Sequence, residues 1–283
     1  MHYAKPEALV STEWLAQHLD DPEIGIIDAS YFLPAQNRDP NAEYLEAHIP
    51  GAVRFDVEEI SDKSDPLPHM IPSAEDFAAK VGALGLGNGF RVIAYDSGSL
   101  MASCRAWWMF RLFGYDDVAV LSGGFAKWKR ENRPVEAGNV AAVSRTLTVR
   151  FRPELVRSMD QMRSNMESAA VQVFDARSQG RFDGTEPEAR PGLRAGHIPG
   201  SRCLYYPALL DPESGEFLPA DELQAAFEDG GVDMKEPAIA TCGSGVSACV
   251  LALGLHLLGH EDYSVYDGSW TEWGGDPDNA VET

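Results

Sequence analysis

Short, uninterrupted apolar runs recur along the chain: Ile26-Ile27, Val92-Ile93-Ala94, Val173-Phe174 and Ala238-Ile239-Ala240. Runs this short, without the alternation of a half-exposed strand, fit strands covered on both faces. Two of them lead into longer amphipathic segments, residues 103–112 and 246–258, whose apolar spacing predicts helices. Strand alternating with helix predicts βα units around a parallel sheet, so the expected fold class is α/β.

The same landmarks occur twice, in the same order, at an offset of about 145 to 149 residues, as a duplicated unit requires. Ile26-Ile27-Asp28-Ala29-Ser30 answers Val173-Phe174-Asp175-Ala176-Arg177, and His48-Ile49-Pro50-Gly51 answers His197-Ile198-Pro199-Gly200. Further on, Val92-Ile93-Ala94-Tyr95-Asp96 answers Ala238-Ile239-Ala240-Thr241-Cys242. Leu121-Ser122-Gly123-Gly124 with Trp128 answers Tyr266-Asp267-Gly268-Ser269 with Trp273. Two domains are therefore expected, 1–136 and 147–283, each a parallel sheet flanked by helices. Residues 137–146 are small and polar and lack a period, which suits a linker. His48 and His197 recur in both copies and are read as braces of the fold.

Composition narrows the chemistry. A length of 283 residues suits two domains, and 44% hydrophobic residues suits a substantial core. No run is long enough to span a bilayer, and the N-terminus lacks a charged segment followed by an apolar one, so an unexported, cytoplasmic protein with no membrane partner is expected. The formal charge of −21 argues against a nucleic-acid partner and leaves any anionic substrate to a few local arginines. Cys104, Cys203, Cys242 and Cys249 have neither the number nor the spacing of a disulfide framework or a zinc site, and no cofactor or metal is expected.

Of the four cysteines, Cys242 alone sits where a buried strand turns through glycines into a helix, in Thr241-Cys242-Gly243-Ser244-Gly245-Val246-Ser247-Ala248. Glycines there permit positive φ, so that successive N–H groups turn inward, and the helix start adds free donors. Such a cradle favours a thiolate without a neighbouring lysine. Cys104, Cys203 and Cys249 fit buried structural roles better. Three other motifs fail on these residues. Gly243-x-Gly245-x-x-Ala248 matches the dinucleotide fingerprint, with Asp267 downstream, but too little chain follows to complete that fold. A phosphate-gripping Cys-x5-Arg loop would need arginine at Ala248, and no Gly-x-Ser-x-Gly elbow is present.

The segment from Cys242 to Ala248 resembles the active loop of the 3-mercaptopyruvate sulfurtransferases of the tandem-domain rhodanese superfamily, whose usual form has threonine at Ser247. The resemblance extends over nearly the whole chain and includes Trp107-Trp108-Met109-Phe110-Arg111, Gly184-Thr185-Glu186-Pro187, His197-Ile198-Pro199-Gly200 and Tyr266-Asp267-Gly268-Ser269-Trp270. It implies a catalytically silent first domain, with Asp96 at the cysteine position. It also implies that Gly243, Gly245, Val246 and Ser247 line the substrate's sulfur with backbone donors.

Arg181 and Arg190 stand in a Gly/Pro-rich stretch where a loop is expected. Composition alone reads them as solvated arginines; the resemblance makes them the two substrate-binding guanidiniums. Thiosulfate-type relatives resemble Cys-Arg-Lys-Gly-Val-Thr in this loop, whereas here Gly243 and Ser244 carry no charge. The resemblance further implies a relay of Ser244, His69 and an acid, with Glu58 the first choice and Asp56 and Asp62 nearby. The expected activity is transfer of sulfur from 3-mercaptopyruvate, a small-molecule donor, through a Cys242 persulfide to a thiol acceptor such as thioredoxin, or to cyanide. A thiosulfate:cyanide sulfurtransferase and a non-enzymatic sulfur-relay or binding protein are the alternatives.

Overall fold

The buried runs become the central strands of two parallel sheets in a computed structural model that describes residues 2–283. The first sheet contains β1 (Leu9–Val10), β2 (Ile24–Asp28), β3 (Val53–Arg54), β4 (Arg91–Tyr95) and β5 (Val118–Leu121), in the order β1-β5-β4-β2-β3. The second contains β6 (Val156–Arg157), β7 (Gln172–Asp175), β8 (Arg202–Cys203), β9 (Ala238–Thr241) and β10 (Tyr263–Tyr266), in the order β6-β10-β9-β7-β8. The two orders are identical, as duplication requires.

Helices cover both faces of each sheet. The first copy has α1 (Thr12–Gln17), α2 (Pro40–Glu46), α3 (Ala74–Ala83), α4 (Met101–Leu112) and α5 (Gly124–Arg130). The second has α6 (Met159–Ser168), α7 (Gln179–Phe182), α8 (Ala220–Asp229), α9 (Ala248–Leu257) and α10 (Ser269–Trp273). Local chemistry starts several of them. Ser73 accepts the Asp76 N–H at the head of α3, and Ser158 with Gln161 closes a capping box on α6. The two helices expected to be amphipathic, α4 and α9, are not: all ten residues of α9 and nearly all of α4 are buried. Each covers its own sheet on one side and the other helix on its second side, so the pair forms the domain interface.

Residues 137–152 form no regular element and run against the first copy, with N–H groups of Gly138, Arg145 and Arg152 donating to carbonyls of Leu45, Gly82 and Leu112. His48 and His197 play the bracing part expected of them. Each pairs its backbone with the end of its own copy, at Glu136 and Glu282, and its Nδ1 meets a local carbonyl at 2.8 Å.

In the second sheet β7 and β9 lie side by side, with Asp175 opposite Thr241. The chain leaves β7 toward β8 on one side and leaves β9 toward β10 on the other. The carboxyl ends of β7 and β9 therefore flank the point where the strand order reverses, which is where α/β sheets open a crevice. Cys242 follows β9 there; Arg177 and Arg181 follow β7.

Candidate active site

Cys242 is 2% exposed at the base of a pocket of about 230 Å³ lined by loops from both copies. Larger clefts of about 540, 480, 430 and 320 Å³ lie elsewhere on the molecule, and no cysteine lines any of them. The loop around Cys242 is held from below. Its own N–H donates to Ser269 Oγ at 3.2 Å, and the N–H groups of Trp270 and Thr271 donate to the carbonyls of Cys242 and Gly243 at 3.0 and 2.8 Å. Among the described residues, no acceptor takes the N–H groups of residues 243–247, so they remain free for an anion at the sulfur.

The glycines act differently from one another. Gly245 has φ +75°, and a Cβ there would lie 2.7 Å from the Asp267 carbonyl oxygen. Gly243 does not adopt positive φ, contrary to the expectation for both; its role is space, since a Cβ would stand 3.0 Å from Arg181 Nη2. Val246 and Ser247 continue the pocket wall into α9.

His69 crosses from the first copy and places Nδ1 2.9 Å from Ser244 Oγ, while its Nε2 faces Glu58 Oε1 at 3.7 Å. Asp56 and Asp62 do not approach it: Asp56 accepts the Glu58 N–H and pairs with Arg54, and Asp62 accepts from Ser64. Burial pushes the His69 imidazole below its ordinary 6.5, against the opposing pull of Glu58, so the ring is neutral at pH 7. Glu58 is itself held below the usual carboxylate range by the neighbouring imidazole. A proton on Nε2, toward the carboxylate, leaves Nδ1 as the acceptor for the serine hydroxyl.

Arg190 reaches the same hydroxyl at 3.4 Å through Nη1 and Tyr31 Oη at 3.4 Å through Nη2. Arg181 lies not in the expected loop but in the single turn of α7, whose cap Ser178 accepts its N–H. Its guanidinium donates to Glu188 Oε2 at 2.6 and 3.1 Å.

Several functional groups escaped the sequence. Arg105, on α4 of the first copy, is fully buried, pairs with Asp267 at 2.7 Å and donates to the carbonyls of His69 and Gly245. Asp267 also accepts the Ile71 N–H at 2.8 Å, which anchors the His69 loop. Tyr31 and Glu188 carry no signal of a role in the sequence, and Ser269 carries only that of a repeat landmark. The other cysteines keep structural surroundings. Burial raises the Cys104 and Cys249 thiols and pushes Cys203 up to about 11. All four cysteines are free.

Paired parallel sheets of one strand order, with a cysteine loop at the carboxyl edge of the second, define a two-domain rhodanese. Residues 11–131 and 158–276 each match the rhodanese-like domain, and the chain belongs to the rhodanese family. It is 42% identical to the human 3-mercaptopyruvate sulfurtransferase over 94% of this chain and 91% of that protein. It is also 42% identical to the bovine thiosulfate sulfurtransferase, over 96% and 94% of the two chains. The crystal structure of SseA from Escherichia coli, described as a 3-mercaptopyruvate sulfotransferase, superposes with a TM-score of 0.85 at 41% identity, covering 93% of this chain and 98% of that one.

Proposed function

We propose that this protein moves sulfur from 3-mercaptopyruvate to a thiol acceptor such as thioredoxin, or to cyanide, through a persulfide on Cys242. Overall identity is the same toward the human and bovine relatives, so the donor has to be argued from the pocket. The observation that carries the reading is the line Arg190–Ser244–His69 beside Cys242, in a loop with no cation at residues 243 and 244. Residues 243 and 244 themselves offer a dianionic donor no charge. A keto acid has two guanidiniums and a proton relay.

In the proposed reaction Arg181 and Arg190 hold the ketone and carboxylate while the Cys242 thiolate attacks the substrate sulfur. The new bond is S–S, the C–S bond breaks, and its electron pair leaves as the enolate of pyruvate. The enolate takes up a proton, which the Ser244–His69–Glu58 line can carry, and the persulfide gives one up. The free N–H groups of residues 243–247 then face the persulfide anion. A second thiolate, or cyanide, takes the outer sulfur and regenerates Cys242.

We further propose that residues 1–136 form a silent unit that lends His69 and Glu58 to the site, with 137–146 the connection and 147–283 the catalytic unit. Free cysteines and thiol chemistry suit a reducing compartment, and the cytoplasm is the proposed setting. Among the described residues, no helix is long and apolar enough to cross a membrane.

The test compares wild type with Cys242→Ser for pyruvate formation from 3-mercaptopyruvate, with mass spectrometry of the protein. Wild type is expected to release pyruvate and gain a single sulfur atom, and the serine variant to do neither. A serine variant with full activity would overturn the proposal. Wild-type turnover of thiosulfate equal to that of 3-mercaptopyruvate would favour the second reading, suggested by the bovine relative's name.

A further inference from the structure

The cleft of about 540 Å³ lies on the seam between the two copies and is lined by matching residues of both. Lys5 answers Arg152, Arg111 answers His256 and Asp116 answers Glu261, at the spacing of the repeat. The ion pairs across the seam are reciprocal. Lys5 meets Glu261 at 3.3 Å and Arg152 meets Asp116 at 2.5 Å, as they would across a two-fold axis. The floor breaks this symmetry, because Trp107 stands where the second copy has Ala252, and Tyr263 stands where the first has Val118. Trp107 and Tyr263 are 0% and 4% exposed, yet Trp107 Nε1, Tyr263 Oη and Arg111 Nε are buried without a hydrogen-bond partner. They belong to one cluster. The Arg111 guanidinium lies 5.3 Å from the Trp107 ring, and the His256 ring lies 5.2 and 6.1 Å from those of Trp107 and Tyr263. Burial keeps the Tyr263 phenol protonated against the pull of Arg111, so each of the three atoms can donate. Burial, with Arg111 nearby, pushes His256 down to about 3, so its ring adds no charge.

We propose that this cleft is a binding site for a small zwitterion, an α-amino acid with an apolar side chain, whose carboxylate meets the floor donors and whose ammonium meets the acidic mouth. Buried donors left unpaired are costly, and they call for an acceptor. A simple anion would supply one, but it would enter a cleft lined by three cationic and four acidic side chains. Asp116 and Glu261 are engaged in the reciprocal pairs, which leaves the exposed Glu7 and Glu154 with no ion pair among the described residues. A simple cation would suit those two carboxylates and leave the floor unsatisfied. A molecule carrying both charges answers both ends. Ala8, Val118 and Leu155, all buried, give its side chain an apolar wall. The site is separate from the Cys242 pocket and independent of the donor assignment. His256 lies eight residues along α9 from Ala248, about 12 Å by helical rise.

Titration calorimetry with L-leucine, 4-methylpentanoate and 3-methylbutylamine reads the preference, since the three share one side chain and carry both charges, the anion alone and the cation alone. L-leucine is expected to bind wild type at least about tenfold more tightly than either of the others. Tyr263→Phe removes one floor donor and should weaken L-leucine and 4-methylpentanoate alike, by about fivefold to tenfold. The double variant Glu7→Gln, Glu154→Gln should weaken L-leucine by about threefold or more without weakening 4-methylpentanoate. No heat from L-leucine would mean that solvent alone meets the floor donors, and would overturn the proposal. Binding of L-leucine no tighter than that of 4-methylpentanoate would overturn it too, as would L-leucine binding that both variants leave unchanged. Should Tyr263→Phe fail to fold, the double variant decides, because both of its substitutions are on exposed side chains.

Discussion

His69 can take the Ser244 proton only while its Nδ1 is bare, and burial is what keeps it bare. The imidazole lies below its ordinary 6.5 because desolvation penalises the cation more than Glu58 rewards it. In the proposed relay the neutral form is the active one, so the part of the acid limb of pyruvate release that belongs to His69 should lie below pH 6.5. Glu58 pulls the value upward, so Glu58→Gln should move the acid limb of kcat to still lower pH. Its side chain is 58% exposed, which limits that displacement to less than about one unit. A pH–rate profile of the two proteins checks the sign, and a limb displaced toward neutral pH would contradict the assignment. Ser244→Ala removes the hydroxyl and should lower kcat by about a hundredfold while Cys242 remains reactive toward an alkylating agent.

Between elements, the decisive contact is Arg105 of α4 reaching over the interface to Asp267 and to the carbonyls of His69 and Gly245. His69 sits at φ +64°, a conformation unfavourable for a residue with a side chain, and needs surroundings that fix it. Arg105→Met would leave Asp267 buried without its cation at a cost of about 3–5 kcal/mol, and would release the His69 loop. Denaturant unfolding should show the lost stability, and kcat should fall even at temperatures where the variant is folded. Sequence reading could reach the strands, because short apolar runs bounded by turns carry their own signal. It could also reach Cys242, because a cysteine between a buried strand and glycines is a local pattern. It misjudged α4 and α9, since periodicity cannot say that a second helix covers the face taken for polar. Arg105, Ser269 and Glu188 stayed hidden for a related reason. Their meaning comes from partners brought near only by folding, as with Arg105 and Gly245, which share no local motif. Gly243 is visible in the sequence but its reason is not, because its constraint is the distance to Arg181 and not its backbone angle.

At the scale of the whole molecule, duplication has produced two loops at equivalent sheet edges, and Asp96 shows how one of them was put to structural use. Its carboxylate accepts from the N–H groups of Gly98, Leu100 and Ser103 and from Ser103 Oγ, at 2.8–3.2 Å, so it caps the start of α4. In the second copy the corresponding N–H groups of Ser244 and Val246 have no acceptor among the described residues, while that of Cys249 donates to the Val246 carbonyl at 3.2 Å. The first loop also lacks a relay hydroxyl, since Gly98 stands two residues after Asp96 where Ser244 stands two after Cys242. Restoring the nucleophile alone should therefore fail. Asp96→Cys in the Cys242→Ser background is expected to release no pyruvate from 3-mercaptopyruvate, and loss of the cap should destabilise the protein by about 1–2 kcal/mol. Because α4 also carries Arg105, Asp96→Cys with Cys242 intact should lower kcat at the distant site as well. Measuring stability and pyruvate release for both variants separates the two effects. Activity in the Asp96→Cys, Cys242→Ser protein would mean that the first copy still holds a working pocket, and that its silence rests on one side chain.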